Sequence, residues 1–447
     1  MLRTLANAWK IADIRKKILF TALILLFYRI GSAIPVPFVN AGVDGIFTDS
    51  QMAGTFMEYL NMMTGNAFNY GTIFALSITP YINSSIIIQL LTVAIPALER
   101  LSKDGEEGRK KIATITRYTT VILGLLQSTA YYFYLRGNNF LLGAAVEGQV
   151  LNVGEQIFQA LVIILCFTAG TALIMWLGEQ INDKGIGNGI SLILFAGIVS
   201  RLPTIFAQLF SSNGGYFSYG GVYAVLSVVV TICLLLMIAY IVWMDNAERR
   251  IPVQYAKRVV GRKMYGGQST HIPIKVNMSG VMPVIFASSI LSLPPTINLF
   301  VGAKEGDGWY DHFFKFFSSS SWVYAVLYFL LIIFFAYFYA SIQYNPIEMA
   351  NNIRKNSGAI PGIRPGKPTS DYIQRILSRI TLLGALLLSV VALFPILFQL
   401  ITTAALEKGM SISLGGTSII ILVGVALETV KQMESQMMMR HYKGFLD

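Results

Sequence analysis

The chain has 447 residues, of which 54% are hydrophobic and 13% charged, and its formal net charge is +11. Soluble globular proteins carry about 25% charged residues, so this composition excludes a soluble fold and describes an integral membrane protein. Cys166 and Cys233 both lie in apolar runs, and the histidines (His271, His312, His441) are scattered, which points to no disulfide framework and no metal site.

Residues 1–17 are basic, and Ile18–Ile34 is apolar. A signal peptide has a similar outline, but this run is long for one, Pro35 and Pro37 follow it, and many spans come later, so it reads as the first transmembrane helix. Ten spans are predicted, at 18–37, 71–96, 115–135, 155–177, 188–206, 221–243, 280–300, 322–342, 377–398 and 415–433, each near the length needed to cross. Of the 34 Lys and Arg residues, only Arg136, Lys304, Lys315 and Lys408 fall in alternate loops, and Arg29 and Arg201 lie well inside spans, while Arg117, Arg379 and Lys431 sit at span ends and count with the adjoining basic loops. The rest fall in the amino-terminal segment and every second loop, which places both termini in the cytoplasm of a multi-pass protein. Arg29 reads first as an arginine that snorkels or pairs within the bundle.

Between the first two spans, Thr55 and Glu58 form a capping box. Phe56, Tyr59, Leu60 and Met63 then fall on one helical face, and Gly65 and Asn66 can end that short helix. A helix too short to span, set directly before a spanning one, describes a segment folded into the membrane from one side. Such a segment is tolerated only inside protein or beside a water-filled cavity. The expectation is a movable stopper beside a pore wall. The second span carries Ile78 and Ile82 at i, i+4, which alone is ordinary packing. It also holds Thr79, Asn83, Ser84, Ser85, Gln89 and Thr92, too much hydrogen-bonding capacity for a helix facing lipid.

Glu99–Arg117 reads as a short solvated turn. The fourth and fifth spans meet at Gly185-Ile-Gly-Asn-Gly-Ile-Ser191, whose spacing is not that of a phosphate loop, and Ile190 and Leu194 beyond it share a face. Residues 244–276 read as a basic hairpin, whose composition fits either a solvated loop or a surface for an anionic partner. Gly280 and Pro283 should make the seventh span bendable near its start. In loop 343–376, Asn345-Pro346 opens a short helix to Asn356 with Gly358 after it. Pro361-Gly-Ile-Arg-Pro-Gly-Lys-Pro368 then holds Arg364 at a defined place, and Thr369 or Ser370 can cap the ninth span's helix.

Several stretches together resemble the SecY family, the central subunits of the bacterial protein-translocation channel. They are Phe74-Ala-Leu-Ser-Ile-Thr-Pro-Tyr-Ile-Asn-Ser-Ser-Ile-Ile-Ile-Gln-Leu-Leu-Thr92, Met175-Trp-Leu-Gly-Glu-Gln-Ile181, Gly185–Ser191, Gln268-Ser-Thr-His271, Lys275-Val-Asn-Met278 and Pro361-Gly-Ile-Arg-Pro-Gly366, in family order. The resemblance implies an all-α polytopic membrane protein with ten transmembrane helices in two inverted five-helix halves, 1–206 and 207–447, around an hourglass pore. It implies a plug at about 55–70, carrying Phe56, Tyr59, Leu60, Met63 and Gly65, and a lateral gate bordered by spans two, three, seven and eight. Ile78, Ile82, Ile190, Leu194, Ile285 and Ile421 match the pore ring, with Leu at one position where Ile is usual. Arg249, Arg250, Lys257, Arg258, Arg262, Lys263 and Arg364 match the docking surface for the ribosome and the SecA motor. The implied function is passage of unfolded secretory polypeptides across the cytoplasmic membrane, and insertion of membrane proteins into it. SecE-like and SecG-like subunits, signal sequences and membrane lipid are the further implied partners. No cofactor and no catalysis are implied, and the energy comes from a partner.

Without the resemblance, a secondary transporter ranks first and a peptide-conducting channel second. A transporter would want ionisable groups near the midplane, where only Arg29 lies, and it leaves two long basic loops unexplained. A small-ion channel would need a filter loop or acidic ring, and an intramembrane enzyme a polar dyad within the spans; the sequence offers neither. The resemblance reverses the order.

Overall fold

The computed structural model describes residues 8–40, 42, 45–46, 61–142, 152–211, 216–255, 258–260, 263–265, 269–301, 321–405 and 415–443. Their helices are α1 (Ala12–Gly31), α2 (Thr79–Ala94), α3 (Pro96–Lys103), α4 (Gly105–Gly137), α5 (Val153–Lys184), α6 (Gly189–Phe210), α7 (Gly221–Asn246), α8 (Met282–Val301), α9 (Trp322–Gln343), α10 (Pro346–Lys355), α11 (Lys367–Ala405) and α12 (Gly416–Lys443). Each predicted span overlaps one of them. Among the described residues six are long and apolar enough to cross a membrane singly: α5, α6, α7, α9, α11 and α12. The pair α2 and α3 qualifies only jointly.

Several helix ends differ from expectation. Residues 72–78 are apolar but form successive turns, and α2 begins only at Thr79. Gly71 at φ 55° and Ser77 at φ 47° keep the backbone out of the helical region, and Pro80 fits only a first turn. At the other end the chain bends by 107° into α3. Ile95, held extended at φ −109° and ψ 113° by the proline that follows, is the corner. The supposed solvated turn at 99–117 is helical on both sides of Asp104. Glu106 and Glu107 complement the helix dipole there and reach Lys110 (3.5 Å) and Lys111 (3.4 Å) one turn on. Pro283 lies in the first turn of α8, where its missing N–H has no intrahelical partner to lose. Ser357 (φ 56°), not Gly358, takes the left-handed position after α10. Helix α11 starts before both proposed caps, and the Thr369 hydroxyl instead donates to the Arg364 carbonyl at 2.9 Å.

Pro395 lies inside α11 and frees the carbonyl of Val391, four residues earlier. Gly416, the first residue of α12, lies directly against that carbonyl, where a side chain would clash.

The main apolar core runs through the middle of the bundle and draws on α1, α2, α5 to α9, α11 and α12. A second core, around Phe68, Tyr131, Leu135, Ile163 and Phe167, lies where α4 ends and α5 begins. Outside the helices stands a small sheet with strand order β4-β1-β5: β1 (Glu248–Tyr255), β4 (Ser269–Lys275) and β5 (Gly358–Ala359). Between β1 and β4 a short antiparallel ribbon forms from β2 (Arg258–Val260) and β3 (Lys263–Tyr265). The expected hairpin is therefore present.

Candidate functional site

The six predicted ring residues come from separate places in the chain and meet in one apolar cluster. Ile78 stands at the N-cap of α2, and its carbonyl accepts the Ile82 N–H at 3.0 Å, which fixes the two one turn apart. Ile190 and Leu194 lie in the first two turns of α6. Their height is set by the Asn188 side chain, which accepts from the N–H groups of Ile190 (3.2 Å) and Ser191 (3.4 Å). Ile285 is in the first turn of α8 and Ile421 in the second turn of α12. Ile78, Leu194, Ile285 and Ile421 are buried members of the central core, and Ile82 and Ile190 pack on it half-buried.

Of the predicted stopper, Phe56, Tyr59 and Leu60, with the box Thr55/Glu58, lie outside the described residues. Met63 and Gly65 lie within them. Residues 61–63 are helical, and Gly65 (φ 64°) and Asn66 (φ 78°) end the turn as expected. Met63 belongs to the same core as the six ring residues, and so does Met62, whose sulfur accepts from the Ser418 hydroxyl of α12. Gly197 of α6 has no room for a side chain against the Met63 carbonyl, and Gly65 has none against Ser200. Segment 63–65 is thus seated directly on α6. Arg29 is paired within the bundle, its guanidinium donating to the Gly65 carbonyl at 3.2 Å.

The sequence reading missed the turn that carries this segment. The Asn61 amide donates to Asn66 Oδ1 at 2.7 Å, and Asn61 Oδ1 accepts from the Asn69 N–H at 3.2 Å. Thr64 Oγ1 accepts from the Phe68 N–H, and the Tyr131 hydroxyl donates to the Phe68 carbonyl at 2.6 Å. Three asparagines within nine residues of an otherwise apolar region were the available signal.

The basic candidates divide differently. Arg249 and Arg250 lie on the exposed part of β1, and Arg250 Nε meets Glu248 Oε1 at 2.7 Å. Arg258 and Lys263 lie at opposite ends of the β2–β3 ribbon, and Lys257 and Arg262 lie outside the described residues. Arg364 is exposed in a turn whose glycines, Gly362 (φ 77°) and Gly366 (φ 103°), adopt backbone conformations that other residues avoid. Sequence reasoning treated the two basic loops separately, but the fold joins them. Strand β5 pairs with β1 (Gln254 with Ala359, Tyr255 with Gly358), and Ile251, Val253 and Ile274 share an apolar core with Ile353, Ile360 and Ile373. Among the described residues no group of His, Cys, Asp or Glu is arranged to hold a metal ion.

The family model described as SecY matches residues 72–430. The protein translocase subunit SecY of Streptomyces galbus is 44% identical over 100% of both chains. The chain belongs to the SecY family. It is a multi-pass membrane protein and a subunit of a protein translocase, whose work is conduction through a channel and not covalent chemistry. Its fold is similar to that of a solved protein-conducting channel (TM-score 0.60, 19% identity, covering 94% of this chain and 92% of that one). It is also similar to Sec61 in the canine ribosome-channel complex from the endoplasmic reticulum (TM-score 0.56, 18% identity, 94% and 92% covered).

Proposed function

We propose that Ile78, Ile82, Ile190, Leu194, Ile285 and Ile421 form the closing ring of a polypeptide-conducting pore, and that the segment ending at Met63–Gly65 is its plug. One observation carries this reading: the six side chains and Met63 share a single apolar core although they come from distant parts of the sequence. Branched apolar side chains make no directional bonds, so such a ring can close around an extended chain of any sequence. With the plug seated, a dry apolar constriction denies an ion its hydration and limits leakage.

The pore lies between two inverted halves, 1–206 and 207–447, with ten spans and both termini cytoplasmic. A lateral gate between α2 with α4 and α8 with α9 lets an apolar signal sequence enter lipid. The packing is consistent with this, because α2 lies along α4 and α8 along α9, whereas α4 and α8 meet over a short stretch. The joined module with Arg249, Arg250, Lys257, Arg258, Arg262, Lys263 and Arg364 is the docking face for a SecA-type motor and for the ribosome. The ribosome-bound state of the canine relative supports the second partner. SecE-like and SecG-like subunits complete the complex, and the motor or ribosome supplies the energy.

The test replaces Cys166 and Cys233, places one cysteine at Ile82, and engages a stalled secretory chain carrying a single cysteine. The expected result is a disulfide whose position on the substrate moves with chain length and is absent at a lipid-facing control. A translocating chain that never links to Ile82 or Ile285 removes the ring assignment.

A further inference from the structure

The loop Gly185-Ile-Gly-Asn-Gly189 joins α5 to α6, and apart from the Asn188 cap the pore reading does not use it. We propose that it is a clasp: through Ile186 and Gly187 it fastens α1 to α12 and keeps α1, α6 and α12 fixed to one another while a polypeptide passes. The proposal rests on the pore reading above and adds positioning residues to it.

Each side of the clasp has its own bond. The Ile186 N–H donates to Thr21 Oγ1 of α1 at 3.1 Å, and the same hydroxyl donates onward to the Lys17 carbonyl at 3.0 Å. The next N–H, that of Gly187, donates to Gln432 Oε1 of α12 at 2.8 Å. Successive amides therefore point to two helices that are far apart in sequence. That reversal requires the backbone of Gly187, at φ +90°. A side chain there would also stand 2.8 Å from Leu192 Cδ1 and 3.2 Å from Thr429 Oγ1. The Ile186 side chain is buried in a small cluster with Ile14 of α1 and Met433 of α12, separate from the main core. Lys17 Nζ adds a long bond to Gln436 Oε1 at 3.4 Å. The loop is anchored on its own hairpin as well, because Asn182 Oδ1 accepts from the Gly189 N–H at 2.7 Å.

The consequence for the pore follows from placement. Gly187 lies just before Ile190 and Leu194, and Gln432 lies on the same helix as Ile421. The Gly187–Gln432 bond therefore sets the height of the Ile190–Leu194 pair against Ile421. Directional bonds hold a register that apolar contacts at the ring cannot hold. Thr21, Gly187 and Gln432 are positioning residues, and motion on opening falls to helices other than α1, α6 and α12.

The test uses the complete channel, reconstituted with its partner subunits and motor. With Cys166 and Cys233 replaced, cysteines are placed at Ile186 and Met433 and oxidised, and disulfide formation is read by gel mobility. The locked channel should move a secretory precursor at the rate of the reduced one; transport that stops on oxidation and returns on reduction overturns the clasp. Separately, Gln432→Leu removes the acceptor at similar size. It should lower transport by about three- to tenfold, the factor that one net hydrogen bond carries, at an unchanged amount in the membrane. Gln432→Glu keeps an acceptor oxygen and should restore the rate. Parent-like transport by Gln432→Leu, or no rescue by Gln432→Glu, overturns the proposal. A stalled chain that links to Ile82 while the locked channel fails removes the clasp alone. Absence of the Ile82 link removes the pore reading instead, whatever the lock does.

Discussion

The apolar ring and the external sheet module are held together in opposite ways. The proposed ring is made of single apolar side chains at the start of α2 and on α6, α8 and α12 that share the central core, none of them able to form a hydrogen bond. The module is a run of register-specific pairs, from Glu248 with Lys275 to Gln254 with Ser269, extended by β5 on the other edge of β1. Contacts without direction can be exchanged for contacts with any passing chain, whereas paired strands keep exposed charges at fixed places. The difference teaches which region is built to yield and which to stay put.

The most damaging way to break this contrast is to attack the module's core. Val253 is fully buried between the sheet and its covering helices, so Val253→Asp should cost about 3 kcal/mol or more and reduce the amount of channel in membranes. Quantitative immunoblotting of the membrane fraction checks this. Arg364→Glu should leave the fold intact, because the side chain is exposed, yet reduce motor-driven transport by roughly tenfold, the order expected from losing a charge-assisted contact. Insertion of membrane proteins should continue, and a normal transport rate in reconstituted vesicles rules this role out.

At the ring, Ile421→Ser should leave the helix in place but raise resting ion conductance severalfold, since a hydroxyl wets the constriction, while Ile421→Leu should be close to silent. Planar-bilayer recording distinguishes the two. The most local effect expected is that of Asn61→Ala. It removes two side-chain bonds and should loosen the 61–69 turn by about 1–3 kcal/mol, read as faster alkylation of a cysteine placed at Met63. Unchanged labelling would show that the turn is held by its other bonds.

Much of the fold was legible because apolar runs and loop charge are strong signals. The hairpin was legible from the alternation around Ile251 and Val253, and the end of the 61–63 turn from Gly65 and Asn66. Helix ends were less so: residues 72–78 are as apolar as a helix would be, and only backbone conformation at Gly71 and Ser77 excludes them. Segment 105–111 misled in the other direction, because charged residues at i, i+4 spacing sustain a helix as well as a solvated turn. The gathering of the ring was not readable from spacing, since Ile78 with Ile82 and Ile190 with Leu194 are ordinary packing pairs until helices from elsewhere meet them. Nor was the union of the two basic loops, which depends on two residues, Gly358 and Ala359, adding to a strand some hundred positions earlier.

The turn that presents Arg364 is continuous with α11, and the helix runs from Lys367 to Pro395 before its first interruption. At 1.5 Å per residue that is a rod of about 42 Å. Its far end rests where Gly416 meets the Val391 carbonyl, a few residues from Ile421. Such a rod is a lever. A tilt of about 5° imposed where a partner docks displaces the other end by roughly 4 Å, close to the width of a methyl group. On the proposed reading, force applied at the docking face would reach the neighbourhood of the proposed ring by rigid geometry alone, with no chain of intervening side chains to relay it.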